Sequence, residues 1–121
     1  MNSARRDLGE RLLDFAARII ELVEPLPKTL VGRQIGDQLV RASTSVGANY
    51  QEAQAAESRA DFAHKLQIAL KEVRESNYWL RLLARIQSGS SPLITSLIDE
   101  SSQLRAILSK AVSTTKRNDV G

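Results

Sequence analysis

Apolar residues recur every three or four positions through four stretches of this chain. In the first, Leu8, Leu12, Phe15, Ala16, Ile19 and Val23 fall on one stripe, which predicts an amphipathic helix over residues 5–24. Pro25 and Pro27 stop it, because a proline pushes the residue before it out of the α region. In the second, Ile35, Leu39, Ala42, Val46, Asn49 and Ala53 alternate steps of four and three, a seam of period 3.5 in a helix over 29–56. Gly32, Gly36, Ser43, Ser45, Gly47 and Ala48 make that helix rich in small residues. Such residues propagate a helix poorly or indifferently but let a neighbouring backbone come close, so this helix is expected in the middle of the structure.

The third stretch, residues 58–88, opens on Ser58-Arg59-Ala60-Asp61, a capping box whose Ser58 and Asp61 satisfy early backbone N–H groups. Phe62, Leu66, Ala69, Val73, Ser76, Leu80 and Leu83 repeat the four-three alternation, and Gly89 stands where a left-handed C-terminal cap is needed. The fourth stretch, residues 91–113, begins at Ser91 with Pro92 in the first turn, where a missing N–H costs nothing. Leu93, Leu97, Ile98, Leu104, Ile107, Leu108 and Ala111 make its stripe, and residues 114–121 read as a frayed polar tail. Four amphipathic helices joined by three short connections predict an all-α fold, an antiparallel up-down-up-down four-helix bundle formed by residues 1–121 as one domain.

Composition agrees with helices: aromatics are 4% of 121 residues, and glycine and proline are few. A chain of this size buries enough surface for a core without covalent staples. There is no cysteine, hence no disulfide, thiolate metal site or thiol nucleophile, which suits a reducing compartment. No apolar run approaches the roughly 20 residues that cross a bilayer. Charges interrupt the leucines of MNSARRDLGERLLDF, so no signal-peptide core is expected and the expected location is cytoplasmic, with no membrane partner.

Candidate chemistry is sparse. A di-iron site in a bundle needs two Glu-x-x-His pairs. The chain has one histidine, His64, with Asp61 three residues before it, so no metal or other cofactor is expected. Glu72 and Glu75 have the spacing of an acid–base pair, but Lys65, Lys71 and Arg74 lie close by on the helix to engage them. Gly32-x-x-x-Gly36 follows no strand and precedes no Gly-Lys-Ser/Thr, so it is not a phosphate loop. The expectation is a protein that binds or assembles and is not an enzyme.

Charge adds one feature. The formal net charge is +3, and residues 58–89 hold six basic and three acidic side chains, which accounts for all of it. Lys71, Arg74, Tyr78, Arg81 and Arg85 follow in steps of three, four, three and four, on one face of the third helix. A basic line with an aromatic in it suits the phosphate backbone of RNA or DNA, the cations neutralising phosphates and the ring stacking on a base. The plainer alternative is a solvated stripe paired with Glu10, Asp14 and Glu21 of the first helix. A second group, Arg41, Asn49 and Glu52 beside the second seam with Arg59 at the following turn, forms a polar network if it is buried, and a hydrated rim if it is not.

The run from Gln38 through Leu39-Val40-Arg41-Ala42-Ser43-Thr44-Ser45-Val46-Gly47-Ala48 to Asn49, followed by Glu52, resembles a known family. Ser58-Arg59-Ala60-Asp61-Phe62 and the run Glu72-Val73-Arg74-Glu75-Ser76-Asn77-Tyr78-Trp79-Leu80-Arg81-Leu82-Leu83 are similar to the same family. These are the small four-helix-bundle proteins encoded in intervening sequences of bacterial large-subunit ribosomal RNA genes. The likeness covers about half the chain, with its motifs in order. One departure is Ala53, where the family usually has a glycine, so a helix continuing through this position is easier here. The resemblance implies an antiparallel four-helix protomer that assembles into a homo-oligomeric ring, commonly a pentamer, with no enzymatic activity. It also implies kinship with the accessory factor of diversity-generating retroelements, a basic pentamer that binds nucleic acid and a reverse transcriptase. The residues themselves leave two readings open: a nucleic-acid-binding oligomer, or a structural or protein-interaction scaffold without a nucleic-acid role.

Overall fold

Thr29 and Ser58 decide where two of the helices begin. Each is extended, and each turns its side-chain oxygen back to accept from a backbone N–H three residues on, Gly32 for Thr29 and Asp61 for Ser58. The computed structural model describes residues 3–87 and 91–120, which form helices α1 (Ser3–Val23), α2 (Leu30–Gln54), α3 (Arg59–Ile86) and α4 (Pro92–Val120). α1 ends two residues before Pro25, as the prolines require. Gly89 lies outside the described residues.

Residue pairings show the chain direction reversing from helix to helix. Gly9 lies against Tyr50 and Gln51, Gly47 against Leu12, and Gly36 against Val23, so α1 and α2 run oppositely. Lys65 meets Glu52 while Glu72 meets Arg41, which opposes α3 to α2. Arg11 meets Glu100 and Arg18 meets Ser96, which opposes α4 to α1. Each helix packs on two neighbours, α1 on α2 and α4, and α3 on α2 and α4, so α1 and α3 stand diagonally across the core. α2 is therefore a corner of the bundle, not its centre: Arg33, Asp37, Thr44 and Ala48 face outward. Its small residues serve the interface with α1, where Gly36 and Gly47 let the two backbones close up.

The core is a column of Leu12, Phe15, Ile19, Leu39, Leu66, Leu80, Leu97, Leu104 and Leu108, each excluded from solvent. The predicted seam of α3 holds from Leu66 onward, with Leu66, Ala69, Val73, Ser76, Leu80 and Leu83 buried, while Phe62 is half-buried against the core. The other stripes are buried at most of their positions, including Leu12, Phe15 and Ile19 of α1, Leu39 and Val46 of α2 and Leu97, Leu104 and Leu108 of α4, and slip by a residue only locally. Tyr50 enters the core beside the half-buried Asn49, and Ile94, Ser101 and Val112 are buried on α4 while Ile107 is 38% exposed.

α4 also outruns its expected end at Ser113, continuing to Val120 where a frayed tail is predicted. Nothing in Ser113–Val120 forbids a helix, since no glycine or proline stands there. Val112 is buried, and the Thr115 hydroxyl donates to the Ala111 carbonyl at 2.9 Å within the helix. Thr115 and Phe62 line one groove, so the extra turns of α4 run alongside the start of α3. α2 likewise passes through the buried Ala53 before ending at Gln54.

Candidate nucleic-acid interface

Helical geometry gives α3 three distinct faces. One is the apolar seam. A second turns toward α2 and carries Lys65, Glu72 and Glu75, each paired across the interface. The third turns outward and toward α4, and Lys71, Arg74, Tyr78, Arg81 and Arg85 all lie exposed on it. Arg85 belongs to the last turn, where a cation also suits the carbonyl end of the helix. Tyr78 is 57% exposed, and its ring meets the half-buried Trp79 edge-on, centroids 5.2 Å apart at 79°. The indole thus steadies a ring that lies at the surface between the arginines.

Among the described residues, no ion pair engages Lys71, Arg74, Arg81 or Arg85. The acids expected to neutralise them do not do so. Glu10, Asp14 and Glu21 are exposed on α1, diagonal to α3 and out of contact with it. The stripe is therefore an unneutralised field within the protomer. Such a line attracts phosphate at low ionic strength and loses that attraction as salt screens it.

The second group is not buried: Arg41, Glu52 and Arg59 are exposed and Asn49 is half-buried. Arg41 is exposed and pairs with α3, through Nη1 to Glu72 Oε1 at 3.4 Å and through Nη2 to Glu75, with a further Nη2 bond to Gln38 at 3.1 Å. Asn49, half-buried, donates to the carbonyl of Ser45 on its own helix at 2.9 Å. Glu52 is exposed and bridges to Lys65 at 2.6 Å, and Arg59 is exposed beside Glu57 and Ser58. Arg41 and Glu52 thus pair with α3 at two separate points along the α2–α3 edge. Glu72 and Glu75 are thus held by Arg41 from the neighbouring helix, not by the basic residues of α3. Burial pushes the Glu72 carboxyl above its ordinary value, and a hydrogen bond with Glu75 adds to this against the opposing pull of Arg41. On Lys65, the bond to Glu52 raises the ammonium above its ordinary value. The Arg11 guanidinium is held up likewise by Glu100.

Two residues to which the sequence alone gives no individual role complete the site. Asn77 is buried on α3 and donates to Ser101 of α4 at 2.8 Å, tying together the helices on either side of a groove. Arg105 of α4 lines that groove with Arg81. A stripe read one helix at a time cannot find Arg105, because the pairing of α3 with α4 is set by the tertiary fold. Asn77 had a visible signal, a polar residue one step from the seam, but period alone assigns that step to Ser76. His64 is exposed, and no cluster of three or more metal-binding side chains occurs among the described residues. No helix among them is long and apolar enough to cross a membrane.

Among curated proteins, none has significant similarity to this chain. The model of the 23S rRNA-intervening sequence protein family matches residues 7–110. A crystal structure of a protein of unknown function from the S23 ribosomal protein family of Bacteroides thetaiotaomicron is 38% identical, with a TM-score of 0.73 over 87% of this chain and 97% of that one. The motifs, the four-helix architecture and the family match over nearly the whole chain agree: it belongs to the 23S rRNA-intervening sequence protein family.

Proposed function

We propose that this chain is a non-enzymatic, homo-oligomeric binding module that contacts the backbone of RNA or DNA through the outer face of α3. One observation carries the reading: Lys71, Arg74, Arg81 and Arg85 are exposed in a row and have no acidic partner among the described residues. A face of this kind neutralises phosphates without reading bases, and Tyr78 offers a ring for stacking. Glu72 and Glu75, the pair spaced for acid–base work, are engaged by Arg41, which favours a structural role for them.

Assembly as a ring, with five protomers the preferred count, belongs to the same proposal. Leu13, 63% exposed, and Ile20, 41% exposed, stand one heptad apart on the outside of α1, as an uncovered seam would. Each contact in such a ring is expected to bury more than about 1,000 Å². A ring repeats the basic line in every protomer, so weak contacts reinforce one another through effective concentration. The same exposed apolar residues favour the second reading, a protein-interaction scaffold.

A binding titration against salt separates the two. Affinity for RNA or DNA should fall steeply as salt rises, and changing Arg74, Arg81 and Arg85 together to alanine should lower both affinity and salt slope while the oligomer persists. Unchanged affinity at low salt overturns the nucleic-acid reading in favour of the scaffold. A monodisperse monomer at micromolar concentration in light scattering overturns the oligomer.

A further inference from the structure

We infer that the phosphate seat is the groove between α3 and α4, with Arg105 of α4 acting as its second wall opposite Arg81. This rests on the reading of α3 as a nucleic-acid face and moves the contact from the crest of one helix to the valley between two. Arg81 and Arg105 both line the groove, and Ser102 and Ser109 bring hydroxyls to it from α4. An arginine on each wall, with serine hydroxyls flanking Arg105 on the α4 side, suits the tetrahedral oxygens of a phosphodiester.

This groove differs from two others in the described structure by its lack of acid. The residues that line it include no carboxylate, whereas the groove near the α1–α2 turn holds Asp37 beside its cations, and the one near the α2–α3 turn holds Glu57 beside Arg59. Along the helices, the positions three and four residues from Arg81 are Asn77, Tyr78, Ala84 and Arg85, and those from Arg105 are Ser101, Ser102, Leu108 and Ser109. Neither arginine has an acid within reach along its own helix, and no ion pair engages either among the described residues. The walls are also fixed in place. Asn77, which lines the groove, donates to Ser101 Oγ at 2.8 Å and to Ser102 Oγ at 3.3 Å, so the two helices keep their spacing before any ligand arrives.

The test compares two single-charge removals on α4 in the full chain. Arg105→Ala removes a groove cation. Lys110→Ala removes an exposed cation that is five residues further on and turned away from the groove. Fluorescence anisotropy is measured against a labelled single-stranded RNA and a duplex DNA over a range of potassium chloride concentrations. Whichever probe the wild type binds carries the comparison. Arg105→Ala is expected to weaken binding by about three- to tenfold at about 0.1 M salt and to reduce the salt slope, with Lys110→Ala close to wild type. Arg105→Lys should recover part of the loss. Equal effects of the two alanine variants overturn the groove; if the triple change on α3 still weakens binding, the α3 reading survives without it. If Arg105→Ala alters the oligomer in size-exclusion chromatography, the residue is an assembly contact and the inference falls. If the wild type binds neither probe, the groove and the α3 reading fall together.

Discussion

Asn77 of α3 donates from Nδ2 to Ser101 Oγ of α4 at 2.8 Å, and the Ser101 hydroxyl in turn donates to the Ile98 carbonyl at 2.9 Å. Both residues are buried, so this short chain of hydrogen bonds sets the register of α3 against α4 from inside the bundle. The two ends of the bond differ in what they have in reserve. Asn77 also reaches Ser102 Oγ at 3.3 Å, so Ser101→Ala leaves the amide a partner and is expected to cost less than about 1 kcal/mol. Asn77→Leu removes the donor and places a bulkier apolar group against the serines, with an expected cost of about 1–3 kcal/mol. Urea denaturation of the two variants checks the order; equal midpoints contradict it.

Leu66 and Leu80 are buried on the α3 seam, which meets both neighbouring helices. Truncating either to alanine removes packed methyl groups that close-packed surroundings only partly replace. The expected loss is about 2–5 kcal/mol for each, read from thermal or chemical melts. Lys116→Ala, at an exposed position of α4, should melt with the wild type.

Gly32 and Gly47 of α2 are both small, yet they predict opposite responses to alanine. A Cβ at Gly32 would lie 2.1 Å from the Pro27 carbonyl oxygen, a backbone atom that cannot swing away, so Gly32→Ala should displace the α1–α2 turn and destabilise the fold. A Cβ at Gly47 would meet Leu12 Cβ at 3.6 Å, ordinary contact distance, so Gly47→Ala should stabilise α2 by about 0.5–1 kcal/mol. The pair of melting temperatures, one below and one above wild type, is the readout.

The raised Glu72 carboxyl carries a definite sign. A group whose pKa is higher folded than unfolded binds its proton more tightly in the native state. Its contribution is therefore fully present below the ordinary carboxylate pKa and is lost as pH rises through the raised one. Glu72→Gln fixes the neutral form. The stability of the wild type relative to this variant should fall as pH rises across that window and level off above it. Denaturant midpoints measured for both proteins across the acid range test this; a difference that grows with pH would mean that Arg41 outweighs burial.

Much of this protein was legible in one dimension. Helices are local objects, so the spacing of Leu66, Val73 and Leu80, the capping box at Ser58 and the stops at Pro25 and Pro27 already place four helices and the buried face of α3. The exposed basic line was visible for the same reason, since steps of three and four fall on one face whatever the helix packs against. The partners of charged side chains were not visible, because an ion pair between helices depends on which helices are neighbours and in what register. Sequence alone therefore left Arg41 open between a buried network and a hydrated rim and gave Glu72 and Glu75 to cations of their own helix, while the acids of α1 lie across a diagonal no local pattern reveals. The extent of α4 was likewise not legible, since the polar composition of residues 113–120 suggests fraying although no helix breaker stands among them. Periodicity told which residues face inward; only the assembled bundle determined which side chains meet, and so placed Arg105 and Arg81 on one groove.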